Sequence, residues 1–163
     1  MGADSTNSGG TSSGSTDHDA AQTAGAAGLN ARMAALYERD ETCRGLGIVL
    51  DEVSSGRARM RMTVGPAMVN GHGIAHGGYL FLLADAAFSY ACNSYGPVTV
   101  AQAAQVTFLA PAAVGDELTA EAVERVRSGR NGVYDVTVRN SAAKVVAEFR
   151  GQSVMLAGRP HTG

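Results

Sequence analysis

The run from Tyr79 to Ser94 limits most strongly what this chain can fold into. Its apolar residues, Leu80, Phe81, Leu82, Leu83, Ala84, Ala86, Ala87, Phe88 and Ala91, fall on every side of a helix, and a helix that is apolar all round is buried. Gly96 and Pro97 supply its stop signal. With 163 residues, 45% of them apolar, the chain is long enough for one domain with one core. The question set by the sequence is therefore what covers this helix.

Strand-like runs are the first answer. Ile48 to Val53 is followed by a Ser54-Ser55-Gly56 turn. Arg57 to Val64 then alternates Arg57, Arg59 and Arg61 with Ala58, Met60 and Met62, the period of a strand with one wet face. Four more runs come after the helix: Val98 to Ala110, Glu117 to Arg127, Gly132 to Arg139 and Lys144 to Leu156. Turn residues between them allow antiparallel hairpins. One buried helix against five to six strands predicts an α+β layer fold. Leu29 to Asp40 has helical spacing in Leu29, Met33, Leu36 and Tyr37. Residues 1–28, rich in Gly, Ser, Thr and Ala, are expected to form a disordered tail. The domain is expected to span 29–157, with 158–163 as a flexible C-terminus. A sheet covers one side of the helix and the chain has little left for the other, so self-association is expected.

Charge and cysteines narrow the function. A formal net charge of −2 predicts no nucleic-acid partner. No stretch of about 18 apolar residues predicts a membrane span. No basic and apolar leader follows Met1, so the expected location is cytoplasmic. Cys43 and Cys92 have no metal spacing and are expected to be reduced thiols.

The candidate chemistry lies in Asn70-Gly71-His72-Gly73-Ile74-Ala75-His76-Gly77-Gly78 and the helix it enters. At a helix N-terminus the first N–H groups have no intrahelical partner and the dipole is positive. Gly77 and Gly78, without Cβ atoms, let a ligand approach the backbone. Such a place suits a carbonyl oxygen that becomes negative during acyl transfer. Asp85 is the one carboxylate among Leu83, Ala84, Ala86, Ala87 and Phe88; burial there raises its pKa toward values useful to a general base. The alternative for Asp85 is a solvated strip shared with Ser89 and Asn93. His72 and His76 have the spacing of a helical metal pair, but the glycines around them argue against a helix, and no metal site is expected. Arg125, Arg127 and Arg130 flank a hairpin turn, either as an ordinary solvated tip or as a phosphate anchor.

The run Met68 to Ser94, with Thr107-Phe108-Leu109-Ala110-Pro111, Gly115-Asp116-Glu117-Leu118, Gly132-Val133-Tyr134-Asp135-Val136 and Ala147-Glu148-Phe149-Arg150-Gly151, resembles the PaaI-type phenylacetyl-CoA thioesterases. The resemblance covers roughly Leu36 to Leu156. It implies a hotdog fold, hydrolysis of acyl-CoA to acid and free CoA, no cofactor, and a homo-oligomer in which dimers pair into tetramers. It implies that Asp85 is the catalytic carboxylate, acting as general base on water or as nucleophile, that Gly77 offers its N–H to the thioester carbonyl, and that Asn70 positions that carbonyl or the attacking water. It also implies that Asp85 and the Asn70/Gly77 pair of one site come from different subunits. Around these, His76, which is also expected to hold the loop in shape by hydrogen bonds, and Gly78, Tyr79, Leu82 and Phe88 are expected to bind substrate, and Arg127 and Arg130 the CoA phosphates. Related branches carry a hydroxyl near Ala101; here Thr99 or Gln102 would have to hold the water. Two other readings remain: a non-catalytic acyl-CoA-binding module, and a hydroxyacyl-thioester dehydratase built on His76 with a carboxylate.

Overall fold

The computed structural model describes Gly28 and residues 31–160. The expected tail over 1–27, Leu29 and residues 161–163 lie outside the described residues. In chain order the elements are a helix over residues 31–38 (α1), then α2 (Glu41–Gly45), β1 (Val49–Ser54), β2 (Arg57–Thr63), a 3-10 turn (Pro66–Met68), α3 (Gly77–Asn93), β3 (Pro97–Phe108), β4 (Glu117–Ser128), β5 (Asn131–Asn140) and β6 (Val145–Pro160). The strands form one antiparallel sheet in the order β1-β2-β4-β5-β6-β3. Because β2 and β3 stand far apart in that order, α3, which joins them, must cross the inner face, and it touches all six strands. This is the hotdog arrangement of a sheet around one long helix.

Strand alternation decides what the helix meets. On β2, Ala58, Met60 and Met62 point inward while Arg57, Arg59 and Arg61 stay exposed, as period-two patterning requires. Leu118, Ala120 and Ala122 of β4 and Tyr134, Val136 and Val138 of β5 complete the inner face. The small residues among them let α3 lie close. Phe88 packs edge-on against Tyr134, with ring centroids 5.4 Å apart, and tilted against Phe149 at 5.8 Å. A β-carbon at Gly151 would sit 2.8 Å from the Phe88 ring. At 1% exposure, Phe88 packs in the core, where the sequence reading placed it beside the substrate. Phe88→Ala is expected to cost about 3–5 kcal/mol of stability, as for other buried aromatic truncations, read as a lower urea midpoint.

Two boundaries differ from the sequence reading. The helix starts at Gly77 rather than Tyr79, because His76 caps it. Strand β6 continues to Pro160, opposite Pro97, three residues past the expected domain end at 157. The N-terminal segment also supplies more cover than expected. Met33 and Cys43 are buried, the Tyr37 and Tyr90 rings lie 6.4 Å apart, Arg32 Nη2 donates to the Ser94 carbonyl at 2.7 Å, and Tyr90 donates to Asp40 at 3.2 Å. What stays half-buried on the side of α3 away from the sheet is Tyr79, Leu82, Asp85 and Ser89.

Candidate active site

The loop before α3 is held by its own backbone. Val69 bridges Ala75, the Asn70 N–H donates to the Ile74 carbonyl at 2.8 Å, and the Gly73 N–H donates to the Asn70 carbonyl at 2.9 Å. Gly73 turns the chain with φ +74°, a value that favours glycine. The Asn70 side-chain oxygen accepts the His72 N–H at 2.9 Å. That bond directs the amide so that Nδ2 remains an unspent donor, and Asn70 borders the cleft described below.

His76 is the N-cap of α3, and its Nδ1 accepts the Gly78 N–H at 3.1 Å. The Tyr79 N–H donates to the His76 carbonyl at 2.9 Å. Of the first amides of α3, Gly78 and Tyr79 are thus satisfied, and the Gly77 N–H has no partner among the described residues. His76 therefore holds the loop and spends Gly78 in doing so. Gly77 has no room for a side chain: a β-carbon there would lie 2.8 Å from Phe108 Cζ. An open cleft of about 810 Å³ runs past these groups, lined by Asn70, Ile74, Gly77, Phe81, Phe108 and Leu109 among others. Phe108 and Leu109 are more than half exposed in it. Two polar donors at the edge of an apolar cleft fit a ligand with one carbonyl and an apolar body.

Asp85 sits half-buried on α3. Burial raises its carboxyl above the ordinary value of 3.8, with no neighbouring charge or hydrogen bond contributing among the described residues. The position is the half-buried stripe with Ser89 that the alternative reading foresaw, yet it is dry enough to perturb the acid. Along a helix rising about 1.5 Å per residue, Asp85 stands about 12 Å from Gly77. One chain therefore does not bring the carboxylate and the free amide to the same reacting carbon. Both cysteines are buried, and burial pushes their thiols up to about 12, so neither supplies thiolate at neutral pH.

The hairpin arginines lie at the other end of α3, whose 17 residues span about 25 Å. The Arg127 guanidinium lies 3.6 Å over the Tyr95 ring and 3.9 Å from Glu124, so its planar face is committed to the hairpin. Arg130 is exposed and borders two smaller clefts there. Arg125 pairs with Asp135 at 2.6 Å. Asn93, placed on a solvated strip with Asp85 and Ser89 in the alternative reading, is instead buried at the helix end. Its side chain donates to the Ser89 and Thr99 carbonyls and accepts the Thr99 N–H at 2.9 Å, which fixes where β3 begins. Thr99 spends its hydroxyl on the Pro97 carbonyl, while Ala101 and Gln102 are exposed on β3.

A sheet wrapped on one helix, with an unpartnered carboxylate in mid-helix and a free amide at the helix start among the described residues, is an arrangement suited to acyl transfer. Residues 72–147 match the family model described as Thioesterase superfamily. The acyl-coenzyme A thioesterase PaaI of Escherichia coli K12 is 47% identical over 124 residues, which is 76% of this chain and 89% of that relative. The solved structure of the E. coli PaaI protein, from the phenylacetic acid degradation operon, superimposes with TM-score 0.80 at 44% identity, covering 82% of this chain and 96% of the other. A Streptococcus mutans protein solved with acetyl CoA is 25% identical with TM-score 0.65, covering 67% of this chain and 88% of its own. The chain belongs to the thioesterase superfamily, in its PaaI-like branch.

Proposed function

We propose that this protein is an acyl-CoA thioesterase acting on phenylacetyl-type thioesters, with each active site built from two copies of the chain. The observation that carries this is Asp85: a desolvated carboxylate with no cation or hydrogen bond beside it costs stability, and such a group is where chemistry is found. In the reaction Asp85 takes a proton from water as the water attacks the thioester carbon. Charge gathers on the carbonyl oxygen, where the Gly77 N–H, the Asn70 amide and the positive end of the α3 dipole receive it. The tetrahedral intermediate collapses, the carbon–sulfur bond breaks, and the proton returns from Asp85 to the departing CoA sulfur. The acid and free CoA leave.

Geometry supports a second copy. Asp85 and Gly77 of one chain stand about 12 Å apart, and donors supplied by a neighbour would bring both groups to one reacting carbon. Strand β3 supports such an assembly. It is a 12-residue edge strand without a single charged residue, exposed on both faces over Ala101 to Gln105. Edge strands that face water are normally short or charged. A dimer pairing β3 with β3 in antiparallel fashion sets two α3 helices side by side in opposite directions. A homotetramer is the expected final state. Among the described residues no helix is long and apolar enough to cross a membrane, and we place the enzyme in the cytoplasm.

The dehydratase reading loses support because the acceptor nitrogen of His76 is spent on Gly78. A binding module has no use for a desolvated Asp85. A panel of acyl-CoA esters, with released thiol detected by colour, tests the function: phenylacetyl-CoA is expected to be turned over, and binding without release of thiol would contradict it.

The raised Asp85 pKa has two consequences. The base works only when ionised, so the acid limb of kcat/KM is expected above the ordinary carboxylate value. In stability the sign is the reverse of a salt-bridged acid. Between the unfolded and folded pKa values the folded chain holds more protons, so stability falls as pH rises through that interval. Asp85→Asn is expected to remove that fall in the pH dependence of the melting temperature, and an unchanged profile would contradict the assignment.

A further inference from the structure

Coenzyme A brings phosphates to the protein, yet the cleft beside Gly77 has no lysine or arginine in its lining. Several arginines are already engaged. Arg127 lies over Tyr95, Arg125 and Arg150 share Asp135, and Arg59 and Arg61 pair with Glu52 and Asp51. Lys144, the one lysine of the sequence, is exposed and stands in the turn between β5 and β6. That turn adjoins the cleft. The Leu109 and Ala110 N–H groups both donate to the Val146 carbonyl, at 2.9 and 3.3 Å. Arg139 and Val145 are opposite each other, so Lys144 belongs to the alternate face, the inner one on which Val138 is buried.

The turn is built to keep its shape. The Asn140 side-chain oxygen accepts the Ala142 N–H at 3.2 Å and the Lys144 N–H at 3.0 Å. The Asn140 N–H donates to the Lys144 carbonyl at 3.0 Å, and Arg139 Nη1 donates to the Ala143 carbonyl at 3.2 Å. Ala143 has φ +61°, the only positive φ outside glycine among the described residues. A residue with a β-carbon is strained there, and strain of this kind gathers in segments that clamp ligands. The reach fits as well. Gly77 lies against the Phe108 ring, Phe108 is opposite Ala147 at about 5 Å, and Lys144 lies about 10 Å further along the strand. The pantetheine arm spans roughly 15 Å from sulfur to the first phosphate, at roughly 3.3–3.6 Å for every three bonds of an extended chain. Resting on the thioesterase reading, we infer that Lys144 is the phosphate anchor for CoA, held at the mouth of the cleft beside Gly77 by the β5–β6 turn, in place of the hairpin arginines.

The test compares phenylacetyl-CoA with phenylacetyl-pantetheine, which carries the same thioester without the nucleotide and its phosphates. Lys144→Gln is expected to raise KM for the CoA ester by about three- to tenfold, the worth of one partly screened contact to a charged group. Its kcat should not change, because the phosphates are bound equally in the ground and transition states. KM for the pantetheine ester should stay as it is, and Lys144→Arg, which keeps the charge, should stay within about twofold of the parent on both esters. An equal change for both esters in Lys144→Gln, or none for either, overturns the role of Lys144 while leaving the thioesterase reading intact. So does a CoA-specific rise in Arg130→Ala with none in Lys144→Gln. No hydrolysis of either ester by the wild type overturns that reading, and this inference falls with it. A measurement on the wild type alone guards against a variant that does not fold. Reductive methylation with labelled formaldehyde keeps the lysine charge, and one lysine in the chain gives one side-chain methyl signal. Free CoA should shift that signal and pantetheine should not; a signal blind to CoA overturns the anchor.

Discussion

Asp85→Asn is expected to lower kcat on phenylacetyl-CoA by at least about a hundredfold, since a positioned general base is worth on the order of 10²–10⁴-fold. KM should change little, because the amide keeps the size and shape of the carboxylate and the lost interaction acts mainly in the transition state. The melting temperature should hold or rise. When ionised, Asp85 is a desolvated charge with no partner among the described residues, and the substitution removes that cost. An active-site change that abolishes turnover while sparing or raising stability is hard to produce by damaging the fold. Near-normal turnover on every thioester hydrolysed by the parent would make Asp85 structural.

The second large effect is expected at Gly77. Gly77→Pro removes the one free amide at the start of α3. Proline suits the first helical position, and His76, at φ −64° and ψ 132°, already has the extended conformation that a following proline demands. The added ring would strike Phe108, so the substitution belongs in a Phe108→Ala background, with Phe108→Ala as its reference. Loss of one oxyanion donor costs about 10²–10³-fold in kcat. A loss of that size with the helix content and melting temperature kept would tie the effect to the amide. A drop below about threefold would show that Asn70 and the helix dipole suffice without it.

The sequence made the large elements legible because their signals are local. The alternation of Arg57, Arg59 and Arg61 with Ala58, Met60 and Met62 sets which face of β2 is wet without reference to any partner, and the apolar belt of α3 announces burial by itself. Asp85 could be singled out as a lone carboxylate in that belt. What sequence could not supply was direction and pairing. Phe88 and Leu82 look alike on the apolar helix, and only the bare inner surface at Gly151 decides that Phe88 turns into the core. Arg127 looks like a free cation until Tyr95, distant in sequence, is seen beneath it. The capping role of His76 decides which of Gly77 and Gly78 keeps a free amide, a distinction that two adjacent glycines do not reveal.

The central claim is that one active site uses Asp85 of one copy and Gly77 of another, and mixing the two inactive variants tests it directly. In a symmetric dimer each mixed pair has one site with both lesions and one site with none. Random exchange of equal amounts makes half the dimers mixed, so about a quarter of the parent activity should return. The measurement is thiol release after Asp85→Asn and Gly77→Pro chains, both in the Phe108→Ala background, are co-refolded and co-assembly is verified with two different tags. Recovery toward about a quarter of the Phe108→Ala reference is the expected result. No recovery from verified mixed assemblies would contradict a site shared between copies.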